Sequence, residues 1–359
     1  MGKNFYLLNN GKLIKKNETI YFVSLQEQAK DVVIIDDEDE SELTIELEEL
    51  SKSKEFSKKA LPVELIDTLY LYGQISLTSG VIAFLSKKQI PVHFFGYYGH
   101  YLSTLYPKAA LLSGEMHVRQ ALCYADHYKR LHIACSFVTG SARNMVKNLE
   151  YYSHQERGLE NKIVLIKELI DGTKSATTVS ELMAIEGRIR QEYYSAFDDI
   201  MPGIFKFESR SRRPPQNQIN AMLSFGNSLV YAEVLNALYH TQLDPTISFL
   251  HEPSERRFSL ALDISEIFKP LFVDRVIFKL VNKKMVDEDS FKKELKSCLL
   301  NERGKRVFLS EYEEKINTTI KHRSLRRNVS YKRLIYLECL KVAKHCLGIQ
   351  EYNPFVIWW

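Results

Sequence analysis

What this sequence lacks narrows it quickly. It has no run of roughly 18 or more apolar residues, so no segment reads as a membrane-spanning helix. Its five cysteines (Cys123, Cys135, Cys298, Cys339 and Cys346) are odd in number, scattered, and without a CxxC pair. A structural zinc site takes ligands at close spacing, and a secreted scaffold takes dense, even cysteines. Both are excluded, and reduced, mostly buried thiols are expected. There is no phosphate-binding P-loop, no GxGxxG after a strand and no GxSxG elbow, which sets aside nucleotide-dependent and serine-hydrolase mechanisms. The first residues, MGKNFYLLNNGKLIKK, lack the layout of a signal peptide, and Tyr6 stands where myristoylation needs Ser or Thr. A cytoplasmic protein is the expectation.

What is present is the material of an ordinary soluble protein. The 359 residues are 45% hydrophobic and 26% charged, enough for one large domain or two. The charge is unevenly spread. Ten acidic residues and no basic one lie between Asp31 and Glu49, so a net charge of +4 leaves about +14 on the rest of the chain. That polarity suits a large anionic partner, or else a solvated acidic loop beside solvated basic helices.

The first hundred residues read as strands and turns. FYLLNNGKLIKKNETIYFV sets Asn-Gly between apolar segments, which predicts a hairpin there. DVVIID, ELIDTLYLYG, SGVIAFL and IPVHFFG add short apolar runs, with a short helix at about residues 78–88. The acidic run is expected to be a loop plus an exposed edge. From about residue 110 the apolar spacing changes to three and four, the mark of amphipathic helices, and it holds through RLIYLECLKVAKHCLG. The fold expected is α+β: an N-terminal β-rich domain over residues 1–95, a linker at 96–110, a larger all-α-helical domain over 111–345, and a C-terminal tail at 346–359. The tail's NPFVIWW is too short to be an element, and its tryptophans suit covering a groove on a neighbouring surface.

Four segments could carry chemistry. In FLHEPSERRFSLALDISEIFKP a helix starting near Ser259 puts Asp263 and Glu266 on one face, with His251 in the loop before it. Two carboxylates and an imidazole suit Mn²⁺ or Mg²⁺ better than structural zinc. The same residues also read as a capping box and a hydrogen-bonded core histidine. In SELMAIEGRIRQEYY, Glu186 precedes Gly187, whose missing side chain would let a phosphate approach, or it is a surface glutamate beside a tolerated glycine. In KFESRSRRPPQNQIN, Lys206, Arg210, Arg212 and Arg213 form a phosphate clamp or a solvated loop. Residues 321–344 hold eight Lys or Arg against one Glu, which reads as a nucleic-acid contact or a basic helix face.

In combination, these pieces resemble the CRISPR-associated integrase family, the Cas-one protein of spacer acquisition. The resemblance runs through LPVELIDTLYLYGQISLTSGVIAFLSKKQIPVHFFGYYGHY, ELMAIEGRIRQEYY, RRPPQNQINAMLSFGNSLVYAEVLNALY and LDPTISFLHEPSERRFSLALDISEIFKPLFVDRVI, in that order. It implies a β domain that dimerises and a helical domain that catalyses. It implies metal ligands at Glu186, His251 and Glu266, with Asp263 supporting them and Mn²⁺ or Mg²⁺ as cofactor. Many relatives carry aspartate where Glu266 stands. Ser248 replaces a frequent glycine and Asn227 a frequent tyrosine, and neither is expected to touch a ligand. The implied reaction is transesterification, in which the 3′-hydroxyl of a short DNA duplex attacks a phosphodiester of the CRISPR repeat. The implied partners are double-stranded DNA, a second copy of the chain, and a small ferredoxin-like Cas-two protein. DNA contacts are then expected at Lys206, Arg210, Arg212, Arg213, Asn220, Lys269, Lys321, Arg323, Arg326 and Arg327. A metal-dependent nuclease on branched DNA and a non-catalytic DNA-binding scaffold remain the alternatives.

Overall fold

The computed structural model describes residues 2–25, 56–108, 111, 113–154, 158–201, 203, 205–212, 214–253, 258–294 and 297–358. The acidic run at 31–49 and Arg213 lie outside the described residues. The chain divides into two compact units, Met1–Ala110 and Leu111–Trp359.

The first unit is built on two four-stranded sheets. One contains β1 (Lys3–Leu7), β5 (Ile66–Leu71), β7 (Val92–Phe95) and β8 (Tyr101–Leu105), in that spatial order. The other runs β4 (Phe56–Leu61), β3 (Thr19–Leu25), β2 (Gly11–Lys16), β6 (Ile75–Leu77). Leu13, Ile20, Leu69, Val81, Leu85 and Val92 meet in one core that draws on both sheets and on α1 (Ser79–Lys87). Thr78 caps α1 by accepting a hydrogen bond from the Val81 N–H at 3.4 Å.

The Asn-Gly hairpin expected near residue 10 does not form. β1 leaves to pair in parallel with β5, and β2 pairs with β3 instead. The actual hairpin turns at Asn17-Glu18, where Asn17 takes the left-handed φ of 56° that a tight reversal needs. Gly11 serves another purpose, because a Cβ there would run into the Val23 carbonyl oxygen of the neighbouring strand. The segment expected as a linker at 96–110 also differs, since it holds β8 paired antiparallel with β7.

The second unit is mostly helical. In chain order it holds α2 (Gly114–Ala125), α3 (His127–Ser153), α4 (Glu160–Gly172), α5 (Val179–Ser195), α6 (Phe197–Ile200), α7 (Gln218–Tyr239), α8 (Ser259–Lys269), α9 (Arg275–Asn282), α10 (Glu302–Asn317) and α11 (Tyr331–Cys346). It is not wholly helical. Two short hairpins interrupt it, β9 (Phe291–Glu294) with β10 (Ser297–Leu300), and β11 (Thr319–Lys321) with β12 (Asn328–Ser330). All five cysteines are free thiols, and four of them are buried.

Helix α8 lies at the centre of this unit, with Leu260, Ala261, Ile264, Ile267 and Phe268 fully enclosed. Pro270 ends its regular hydrogen bonding, because proline has no N–H to offer the Glu266 carbonyl one turn back. A π-helical turn follows at Pro270–Asp274. Helix α3 supplies the missing donors from one polar stripe. The Ser141 hydroxyl donates to the Glu266 carbonyl at 2.8 Å, and the amides of Asn144 and Asn148 donate to the Ile267 and Pro270 carbonyls at 3.0 and 2.7 Å. The break is thereby satisfied, and α8 is held in place.

The C-terminal tail packs onto the same scaffold. Asn144 also donates to the Phe355 carbonyl and accepts from the Ile357 N–H. The buried Glu338 carboxylate accepts from the Tyr352 hydroxyl at 2.6 Å and the Phe355 N–H at 3.0 Å. Tyr352, Phe355 and Ile357 are buried, so the tail is part of its own unit's core up to residue 357.

Candidate active site

Helix α8 carries two of the three acidic candidates, Asp263 and Glu266. Asp263 is fully buried, and its carboxylate takes four hydrogen bonds. One oxygen accepts the Phe249 and Leu250 N–H groups at 2.8 and 2.9 Å. The other accepts the His251 N–H at 3.0 Å and meets His251 Nδ1 at 2.7 Å. Asp263 lies inside the helix rather than at its start, and the N-cap residue, Phe258, makes no side-chain cap. The capping-box reading is thus set aside, and the aspartate instead organises the loop that bears the histidine. A carboxylate facing Nδ1 requires the proton on that nitrogen, which leaves the lone pair on Nε2. Ser248 bears on the same loop, since its hydroxyl donates to the His251 carbonyl at 2.5 Å. It was expected to touch no candidate ligand, and it does.

Glu266 lies one turn further on, and its side chain is 10% exposed. Arg190 of α5 reaches both Glu266 and Glu186, the latter from one turn earlier on α5, so a single guanidinium joins the two glutamates. Lys269 closes on the other Glu266 oxygen at 2.6 Å. Burial opposes the charge on Glu266, but Arg190 and Lys269 outweigh it and hold the carboxyl far below its ordinary range. Burial also works against Arg190, yet Glu266 and Glu186 keep it charged. Lys269 is pulled down by burial, with Glu266 offsetting part of that and Arg190 adding to it. Asp274, in the π-helical turn, behaves differently. Burial pushes its carboxyl up to about 7, despite a hydrogen bond with Tyr193 and the nearby Arg190, Lys269 and Arg210 cations.

The candidate ligands therefore stand in two groups. Glu186 and Glu266 share Arg190, and His251 is paired with Asp263. Among the described residues no three His, Cys, Asp or Glu side chains converge as they stand to hold an ion. The donor types nonetheless suit a divalent cation of the Mn²⁺ or Mg²⁺ kind, and the two glutamates already hold one cation between them, the Arg190 guanidinium. Gly187 leaves the adjoining face of α5 open, with no atom within 4 Å of where a Cβ would stand.

The basic candidates divide by burial. Lys206 and Arg212 are exposed on the loop before α7. Arg210 turns inward instead, donating to Asn220 Oδ1 at 2.8 Å and Ser224 Oγ at 3.2 Å, and burial lowers its pKa. Asn220 is fully buried, and its amide is spent on Arg210, the Ser211 N–H and the Ser209 carbonyl. It shapes the basic loop rather than facing a ligand, contrary to expectation. Lys269 also differs, being committed to Glu266. Lys321, Arg323, Arg326 and Arg327 are exposed on and between β11 and β12. Arg190 and Asp274 were not singled out from the sequence. Arg190 follows Glu186 by four residues, a spacing that reads as a surface ion pair until α8 is packed beside it.

A strand-rich first unit and a mostly helical second unit, the latter carrying two arginine-bridged glutamates and a carboxylate-held histidine, define a two-unit α+β protein. The chain belongs to the CRISPR associated protein Cas1 family, which matches residues 5–314. It is 49% identical to the CRISPR-associated protein Cas1 1 of Methanobrevibacter ruminantium over 357 residues, covering 99% of both chains. It is 44% identical to the CRISPR-associated endonuclease Cas1 of Methanothermobacter thermautotrophicus, covering 99% of this chain and 96% of that one. Among solved structures, a Cas1 protein from Thermotoga maritima superposes with a TM-score of 0.80 at 35% identity, covering 98% of this chain and 100% of that one. A casposase bound to its integration product shares the fold, with a TM-score of 0.82 at 21% identity over 98% of this chain and 92% of that one.

Proposed function

We propose that this chain is a divalent-metal-dependent DNA integrase of CRISPR adaptation, joining 3′-hydroxyl ends of short duplexes into the repeat by transesterification. The observation that carries the reading is a half-buried glutamate of α5 and a buried one of α8 sharing one cation, in the same unit as an imidazole fixed by Asp263. Glu186, His251 and Glu266 would hold the ion, Mn²⁺ or Mg²⁺, which when bound supplies polarisation of the phosphoryl group and stabilisation of the leaving oxygen. Asp263 acts through His251: with both its oxygens occupied by the loop, it positions the imidazole rather than serving as a ligand. Arg190 and Lys269 neutralise the two glutamates, so Arg190 has to release them before they can offer net negative charge to a dication. The exposed Lys206 and Arg212, on the loop before α7, would contact the DNA backbone.

The family membership and the endonuclease relatives support a nucleic-acid substrate, and double-stranded DNA, the small Cas2 protein, a second copy of the chain and a cytoplasmic setting complete the proposed working context. No helix among the described residues is long and apolar enough to cross a membrane. The test mixes the protein with Cas2, a duplex bearing 3′-hydroxyls, and a supercoiled plasmid carrying the repeat. Joined products that require Mn²⁺ or Mg²⁺ support the integrase. Nicking without joining would make the site a nuclease, and DNA binding with neither would leave a scaffold.

A further inference from the structure

Trp358 of the C-terminal tail lies beside the β11–β12 hairpin, against His322. Pinned through Asn353, Phe355 and Ile357, the tail presents Trp358, a half-buried indole. Phe355 and His322 meet that ring edge-on, at centroid distances of 5.5 and 5.9 Å. The Arg323 guanidinium lies 5.3 Å from the ring centroid. No aromatic ring among the described residues stacks flat on the indole. Around it the hairpin carries Lys321, Arg323, Arg326 and Arg327, all exposed. None of these four has an acidic partner among the described residues.

We propose that Trp358 is a stacking platform for one unpaired DNA base, with Arg323, Arg326 and Arg327 holding the flanking phosphates. This rests on the DNA-integrase reading and extends it to a strand that is locally single. A half-buried indole whose ring is covered by a guanidinium able to turn away, set among cations without acidic partners, offers what sequence-tolerant single-strand binding needs, because every base has a π-face and every nucleotide a phosphate. Arg323 contributes in either of two positions, stacked on the indole or turned to a phosphate. Two sources could supply such a base, an overhanging end of the incoming duplex or a strand of the target opened at the repeat.

The chain has two tryptophans, both in the tail, so intrinsic fluorescence reads this region directly. In a Trp359→Phe variant, Trp358 is the sole reporter. Titration with oligo(dT) should quench its emission and a blunt duplex should not, while a duplex with a 3′ overhang should quench if the incoming end is the source. Quenching by oligo(dT) and by a repeat duplex with an internal unpaired stretch, but not by the overhang duplex, would assign the base to the target. Trp358→Ala should weaken oligo(dT) binding about ten-fold or more, and Trp358→Phe should restore most of it. Arg323→Ala should lower the salt dependence of single-strand binding by about 0.7 in log–log slope. Unchanged emission while oligo(dT) still binds would overturn the platform and leave the integrase reading standing. Loss of affinity in Trp358→Ala accompanied by an equal loss in Trp358→Phe and a lowered unfolding temperature would also overturn it, by making the indole a packing residue. Failure of the protein to bind any DNA would remove both.

Discussion

Arg190 is the residue that ties the two glutamates of the candidate site together. It joins Glu186 to Glu266, and with Lys269 it brings the pair to electrical neutrality. Removing it should therefore act in opposite directions on two measurements. Arg190→Met should lower the unfolding temperature of metal-free protein, because a buried carboxylate loses its partner. It should also tighten Mn²⁺ binding in calorimetry by about ten-fold, since the ion no longer competes with a guanidinium. Weaker Mn²⁺ binding in the variant would mean that Arg190 positions the glutamates rather than competing for them. Asp274 gives a second test at this scale. Its carboxyl is raised from 3.8 to about 7 by burial, so the folded state keeps a proton that the unfolded chain releases. That contribution is complete below the unfolded value and is lost as pH rises through 7. Urea midpoints of the wild type should accordingly fall relative to Asp274→Asn between pH 4 and pH 7.5, and parallel profiles would contradict the assignment. Of these residues the sequence made Glu186, His251, Asp263 and Glu266 legible, by residue type, by spacing and by resemblance. Arg190 and Asp274 acquire their roles only when α5, α8 and the π-helical turn lie side by side, which no local pattern encodes.

Among the elements, α8 was the most legible. Its start at Ser259 and end at Lys269 follow from apolar spacing and from Pro270. What the spacing could not give is how the break at Pro270 is repaired, because the donors come from α3, more than 100 residues earlier in the chain. Asn144 is the hub of that repair, serving the Ile267 carbonyl on one side and Phe355 and Ile357 of the tail on the other. Asn144→Ala should cost about 2–4 kcal/mol, since it strands several buried backbone groups at once. In urea titration the midpoint should fall, and tryptophan emission should shift to the red early as the tail detaches. An unchanged midpoint would show that water replaces the amide. The N-terminal strands were less legible for a related reason. Asn10-Gly11 carries a strong turn signal, but β1 finds its partner in β5, some 60 residues away, and local turn chemistry has no knowledge of a parallel partner. The two hairpins of the second unit escaped notice because strands of three or four residues carry too little alternation to register.

For the whole molecule, the division of labour follows the change in apolar spacing near residue 110, where the two units meet in sequence. The second unit holds the two bridged glutamates, the Asp263–His251 pair, the basic loop before α7 and the basic hairpin beside the tail. The excess positive charge outside residues 31–49 is therefore borne in part by exposed side chains on the unit that holds the candidate chemistry. The central claim is that Glu186, His251 and Glu266 act as one metal-holding unit in DNA joining. Its most direct test is strand transfer by His251→Ala and Glu266→Ala, each measured beside DNA binding under the same conditions. Both variants are expected to bind DNA within a few-fold of the wild type and to lose metal-dependent joining by several orders of magnitude. Joining at the wild-type rate in either variant would contradict it.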